Sequence, residues 1–133
     1  MIKNKVCIVT AARSEYGLLK WIIDGLYHDS ELELQLVVTG AHLSEEHGMT
    51  YRFIEEDGYP ITAKVDMQLS FDDKKSIVRS MGKCSEGFAE VFTQLQPDVV
   101  MVLGDRYELL PIVSAALLMG VPVAHLSGGD VTE

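Results

Sequence analysis

Cysteine is nearly missing from this chain: Cys7 and Cys84 are the two present in 133 residues, and they stand far apart. That excludes a disulfide scaffold and any cysteine-based metal spacing. Cys7 lies inside an apolar run and is expected as a buried free thiol, which suits a reducing cytoplasm. Positive charge is also scarce, with 11 Lys and Arg against 20 Asp and Glu and a net charge of -9. Such a balance argues against nucleic acid and against an anionic membrane as partners. It leaves a nucleotide ligand open, because a few local arginines suffice for a phosphate. No apolar stretch approaches the roughly 20 residues of a membrane helix. The longest, residues 109–126, is broken by Pro111, Gly120 and Pro122. No signal peptide is expected either, since residues 1–5 lead into an apolar run of only residues 6–9. Repeats, linkers and low-complexity tracts are absent.

What is present is an ordinary globular composition, 47% hydrophobic and 23% charged. A single domain of this size buries roughly two-thirds of its unfolded surface. Residues 5–10 form a short β-branched run and predict a first strand. Ser14 is the expected N-cap of a following helix whose Leu18, Leu19, Ile22, Ile23 and Leu26 fall at helical spacing. Residues 32–38 predict a second strand. Residues 44–57 begin polar and end in a helix over residues 51–56. A weaker third strand is expected over residues 61–66. Ser70 or Asp72 is the expected cap of a long helix that runs to Leu95 and stops at Pro97. Residues 98–103, with the unbroken apolar run 99–103, predict a fourth strand covered on both faces. A helix over residues 107–119 follows, with Gly120 at its C-terminal cap, and residues 121–126 make a fifth strand.

Strands alternating with helices imply an α/β fold, a doubly wound parallel Rossmann-like sheet of order 3-2-1-4-5. In such sheets ligands bind beyond the carboxyl ends of the strands, at the switch between strands one and four. Arg13 and Asp105 are therefore expected close together, from opposite halves of the chain. The last strand ends near Leu126 without a covering helix. The chain is accordingly expected to be one domain of a longer protein.

Three loops at those strand ends carry the chemistry. Residues 11–17, Ala-Ala-Arg-Ser-Glu-Tyr-Gly, join a strand to a helix start, where backbone N–H groups and the helix dipole favour an anion. Arg13 adds a guanidinium fork for phosphate. The loop is neither the Rossmann glycine fingerprint nor a Walker loop, which disfavours a dinucleotide or phosphoryl transfer. Residues 104–108, Gly-Asp-Arg-Tyr-Glu, place three charges directly after a buried strand. A helix N-terminus alone accounts for Asp105 and Glu108 but not for Arg106, so a functional reading is favoured, with Asp105 as candidate acid or base. Residues 125–130, His-Leu-Ser-Gly-Gly-Asp, offer Gly128 and Gly129 for close backbone approach and the Ser127 hydroxyl. No nucleophile-elbow spacing surrounds Ser127. His125 alone reads as a hydrogen-bonded core histidine. His42 ends the second strand and points to the rim. No His, Cys or Asp cluster has metal-ligand spacing, so no metal is expected. The methionines read as core filler.

Together these segments resemble the hydrolysing UDP-N-acetylglucosamine 2-epimerases, the family that makes sialic- and legionaminic-acid precursors. The resemblance rests on residues 9–18, 38–43 (Val-Thr-Gly-Ala-His-Leu), 48–50, 102–108 and 124–130, five pieces in one order, each at or near a strand end. It implies the first half of a GT-B-like two-domain fold, with residues 1–133 as a single Rossmann-like domain and the second domain lying outside it. It implies a UDP-sugar substrate in the cleft, no cofactor, a cytoplasmic enzyme and a homo-oligomer. By resemblance Asp105 is the catalytic acid/base, and Arg13, Glu15, His42, Arg106, His125, Ser127, Gly128 and Gly129 are substrate-binding. The chain departs from the family in having Ala11 where Gly is common, and Ser127 where relatives often carry Glu or His. Asp130 stands where Glu is common. Ser127 cannot replace a carboxylate base. The 133-residue chain alone is expected to be inactive. The rival readings are a stand-alone nucleotide-sugar-binding module without catalysis and a fragment of a GT-B glycosyltransferase. The residue 104–108 motif and the Thr-Gly-Ala-His loop weigh against the latter.

Overall fold

The computed structural model describes residues 3–70, 72–104 and 106–126. Among these, strands and helices alternate as β1 (Asn4–Thr10), α1 (Arg13–His28), β2 (Leu32–Thr39), α2 (Tyr51–Glu56), β3 (Ala63–Val65), α3 (Lys74–Leu95), β4 (Val99–Leu103), α4 (Leu109–Leu118) and β5 (Val123–Leu126). Two 3₁₀ turns, Gly40–Leu43 and Glu45–His47, lie between β2 and α2. The strands pair in parallel in one sheet, β3-β2-β1-β4-β5. That is the order expected from the alternating pattern.

The sheet is apolar on both faces because each face has its own helical cover. Cys7 and Val9 of β1, Val37 of β2 and Val100 and Val102 of β4 turn to one side, with Phe88 and Phe92 of α3 and Ile112 of α4. Val6 and Ile8 of β1 and Leu36 and Val38 of β2 turn to the other, with Leu19 and Ile23 of α1 and Ile54 of α2. The period of two along each strand therefore feeds two cores. Each fully buried Leu, Ile or Phe contributes about 1.5–3 kcal/mol by removal from water. Both cysteines are buried free thiols, and burial pushes each up to about 12, so neither is a nucleophile at neutral pH.

The helix starts differ from expectation in instructive ways. Ser14 does not cap α1. The cap position is Ala12, extended and without a side-chain bond, and Glu15 instead reaches back to accept the Ala11 N–H at 2.8 Å. The long helix α3 is capped by Asp73 rather than Ser70 or Asp72, its carboxylate accepting the Ser76 N–H at 2.7 Å. Helix α4 begins at Leu109, two residues later than expected. Its end is as foreseen: Gly120 has φ +74°, and the Val121 and Gly120 N–H groups bond the Ala116 and Leu117 carbonyls at 2.8 and 3.2 Å. That pair of bonds is a Schellman closure.

Candidate functional site

Buried polarity marks one rim of the sheet. Of the seven buried polar or charged side chains among the described residues, Thr10, Glu15, Thr39, His42 and Glu108 lie at or just beyond strand C-termini. A buried polar group is costly unless partnered, so this rim is where the fold carries cost. A larger cleft, about 390 Å³, lies at the opposite end of β4 and β5, between Pro97 and Val121, and has no charged residue in its lining. It has no groups with which to do acid–base chemistry.

On the β1–β2 side the rim is closed by neutral hydrogen bonds. The Ala41 N–H donates to the Ala11 carbonyl at 2.8 Å. Gly40 makes this approach possible, since its φ is +58° and a Cβ there would lie 2.9 Å from the same carbonyl oxygen. His42 is fully buried, with Nε2 at 2.9 Å from the Thr10 hydroxyl and Nδ1 at 3.0 Å from the Thr50 hydroxyl. Thr10 in turn donates to the Ala12 carbonyl at 3.3 Å. This chain is satisfied by a neutral ring with its proton on Nε2 and the Thr50 hydroxyl donating to Nδ1. Burial pushes His42 down to about 4, so it is neutral at pH 7. Both ring nitrogens are engaged within the protein, and His42 braces the rim from inside.

Arg13 opens α1 and is exposed. Its guanidinium lies 4.1 Å from the centre of the Phe53 ring, a cation–π contact between α1 and α2. It makes no ion pair among the described residues. Arg13 edges a groove of about 280 Å³ that also holds Tyr16, Lys20, Phe53 and Asp57. There Tyr16 donates to Asp57 and Lys20 pairs with it at 3.3 Å. The Tyr16 hydroxyl, with Lys20 in support, holds the Asp57 carboxyl below its usual range.

The β1–β4 side is charged. Glu15 follows β1, Arg106 and Glu108 follow β4, and β1 and β4 are neighbours at the point where the strand order reverses. Arg106 Nε lies 3.4 Å from Glu108 Oε2. Burial raises Glu15 above the usual carboxylate range, the Ala11 N–H and Arg106 pull it back, and Glu108 pushes it up. The three charges are therefore within electrostatic reach of one another. Glu108 is 1% exposed, and its Oε1 has no hydrogen-bond partner among the described residues.

Of the residues singled out from sequence, Arg13, Glu15, His42 and Arg106 all follow strand C-termini on this rim, and of these Glu15 and Arg106 are within electrostatic reach of each other. His125 of β5 is exposed rather than a core residue, and its Nε2–H donates to the Gly104 carbonyl, which ties β5 to the loop after β4. Asp105, Ser127, Gly128 and Gly129 lie outside the described residues. Sequence reasoning missed Thr10 and Thr50 as partners of His42 and read Glu108 as a helix-terminus acid rather than a buried one. Among the described residues no three His, Cys, Asp or Glu side chains come together as metal ligands.

Comparison with known proteins agrees with the fold. The family model described as UDP-N-acetylglucosamine 2-epimerase matches residues 24–133. The chain is 46% identical over 132 residues to a GDP/UDP-N,N'-diacetylbacillosamine 2-epimerase (hydrolyzing) of Campylobacter jejuni, covering 99% of this chain and 34% of that protein. It is 36% identical to the UDP-N,N'-diacetylbacillosamine 2-epimerase (hydrolyzing) of Legionella pneumophila, covering 96% and 34%. In fold it is similar to the UDP-GlcNAc 2-epimerase of Neisseria meningitidis bound to UDP-GlcNAc, with a TM-score of 0.79 at 19% identity, covering 96% of this chain and 33% of that one. The chain spans about a third of the length of the curated relatives it matches.

Proposed function

The chain belongs to the UDP-N-acetylglucosamine 2-epimerase family, and from that premise we propose that it is the first domain of a hydrolysing 2-epimerase acting on a UDP-2-acetamido sugar. The observation that carries this reading is the meeting of carboxylates and an arginine from β1 and β4 at the reversal point of the sheet, with a second arginine on the same rim that has no ion pair among the described residues. The substrate lies in a cleft between this domain and a second domain of a GT-B-like pair.

The reaction needs two things. A base removes the C2 proton as the C1–O bond breaks and UDP departs, leaving a 2-acetamidoglucal. Water then adds its oxygen to C1 while a proton returns to the opposite face of C2, giving the 2-epimer. Asp105, next to Arg106 after a buried strand, is assigned as acid/base. Arg13 and Arg106 support the diphosphate, Arg13 in the bound substrate and Arg106 at the end where charge builds on the leaving oxygen. Glu15 shapes the loop after β1 through the Ala11 N–H. His42 and His125 hold the rim loops in place, and Ser127, Gly128 and Gly129 complete the pocket. No cofactor is called for by this chemistry.

Two further features support other parts of the reading. Leu110, Leu117 and Leu118 of α4 are exposed, and such apolar exposure on one helix favours a homo-oligomer. The free buried thiols fit a cytoplasmic enzyme. No helix among the described residues is long and apolar enough to cross a membrane.

The test is incubation of the full-length protein with UDP-N-acetylglucosamine and with UDP-N,N'-diacetylbacillosamine. UDP and a 2-epimerised amino sugar are expected from at least one of them, and the preferred sugar identifies the substrate. A folded protein that releases no UDP from either would refute the proposal.

A further inference from the structure

The geometry points to Glu108 as a positioning residue that holds Arg106 against the leaving diphosphate, an inference that rests on the UDP-sugar reading above. Glu108 is too buried to touch a substrate, at 1% exposure, whereas the Arg106 side chain beside it is 42% exposed. The contact runs from Arg106 Nε to Glu108 Oε2. A guanidinium anchored at Nε keeps both Nη groups free, and these form the fork that matches two phosphate oxygens. Glu108 is itself anchored, because its backbone is the N-cap of α4, packed against α3.

The second observation is the cost of the arrangement. Glu108 Oε1 is buried without a partner among the described residues, and Glu15 adds a second carboxylate nearby. A buried carboxylate oxygen left unpaired is destabilising. A pair of well-packed apolar side chains would serve stability better, so the acid is explained by what it does to Arg106. The surrounding charge also separates the two rim arginines. Arg106 is largely compensated by its acids before a substrate arrives, and its gain from a phosphate is realised only as negative charge builds on the leaving oxygen. Loss of Glu108 is therefore expected in turnover more than in binding.

The experiment is steady-state UDP release by the full-length protein carrying Glu108→Gln, Arg106→Lys, or both. Glu108→Gln keeps the shape and removes the charge. Its kcat is expected to fall about tenfold to a hundredfold, the range of one charge-assisted hydrogen bond, with KM changed by less than about threefold. The double variant is expected to be no worse than Arg106→Lys alone, because Glu108 acts through that side chain. Losses that multiply in the double variant, or wild-type kcat in Glu108→Gln, would overturn the inference. A second readout is independent of activity. In nitrogen-resolved spectra of the wild-type full-length protein, the Arg106 Nε–H, assigned by its disappearance in Arg106→Lys, is expected downfield and slow to exchange. An Nε–H exchanging like that of a solvated arginine would overturn the positioning role even if UDP release stands. Absence of UDP release from the wild type would instead refute the UDP-sugar reading.

Discussion

Arg13 and Arg106 occupy equivalent places, each directly beyond a buried strand on the same rim, yet their surroundings are opposite. Arg13 lies on an aromatic ring with no carboxylate paired to it among the described residues. Arg106 is paired with Glu108 and sits within range of Glu15. The loops that carry them differ in the same sense. The β1–β2 side is closed by neutral hydrogen bonds in which His42 has a partner on each ring nitrogen. The β1–β4 side keeps a buried carboxylate oxygen without one among the described residues. Identical side chains at equivalent strand ends can thus do different work: an uncompensated guanidinium attracts an anion in the ground state, and a compensated one is an organised part of the reacting centre.

The comparison breaks first if the β1–β4 side is not the reacting side. Asp105→Asn in the full-length enzyme is expected to lower turnover by at least about 100-fold, as for a lost acid/base group, with an unchanged circular dichroism spectrum. Near-wild-type turnover would remove the assignment. The next effect sharpens the contrast on the other side. His42 is pushed down to about 4 by burial, below its unfolded value near 6.5. The unfolded chain therefore binds the proton first, and the stability that neutral His42 contributes is present above about pH 6.5 and lost as pH falls toward 4, by about 3 kcal/mol at most. Glu15, raised in the fold, works in the opposite direction. Urea unfolding of wild type and His42→Asn across that window should show the slope attenuated in the variant. Parallel pH profiles would show that His42 is not the group responsible.

How far all this was legible in the sequence depended on the length scale of the signal. The strand order followed from strands alternating with helices, and the strands themselves from apolar runs such as residues 99–103, because burial on both faces leaves a run without alternation. The helix caps were missed because a cap is chosen by where the backbone leaves extended geometry. Ala12 is still extended at φ -156°, so the serine two residues on is already inside the helix and the bonding falls to Glu15. The meeting of Arg106 with acids from two loops was legible in kind, since strand order puts β1 beside β4. The burial of Glu108 was not, because its neighbours on α3 and α1 are distant in sequence. Thr50 as a partner of His42 was equally hidden, since nothing in a polar segment marks which hydroxyl folds back.

The most direct test of the contrast is calorimetric titration of UDP into the full-length protein with and without Arg13→Ala. If Arg13 is the uncompensated cation that takes the diphosphate, its removal costs about 1.5–3 kcal/mol, a rise in Kd of roughly tenfold to over a hundredfold. An unchanged Kd would contradict the account, and would leave Arg13 as no more than the clasp that stacks α1 on Phe53 of α2.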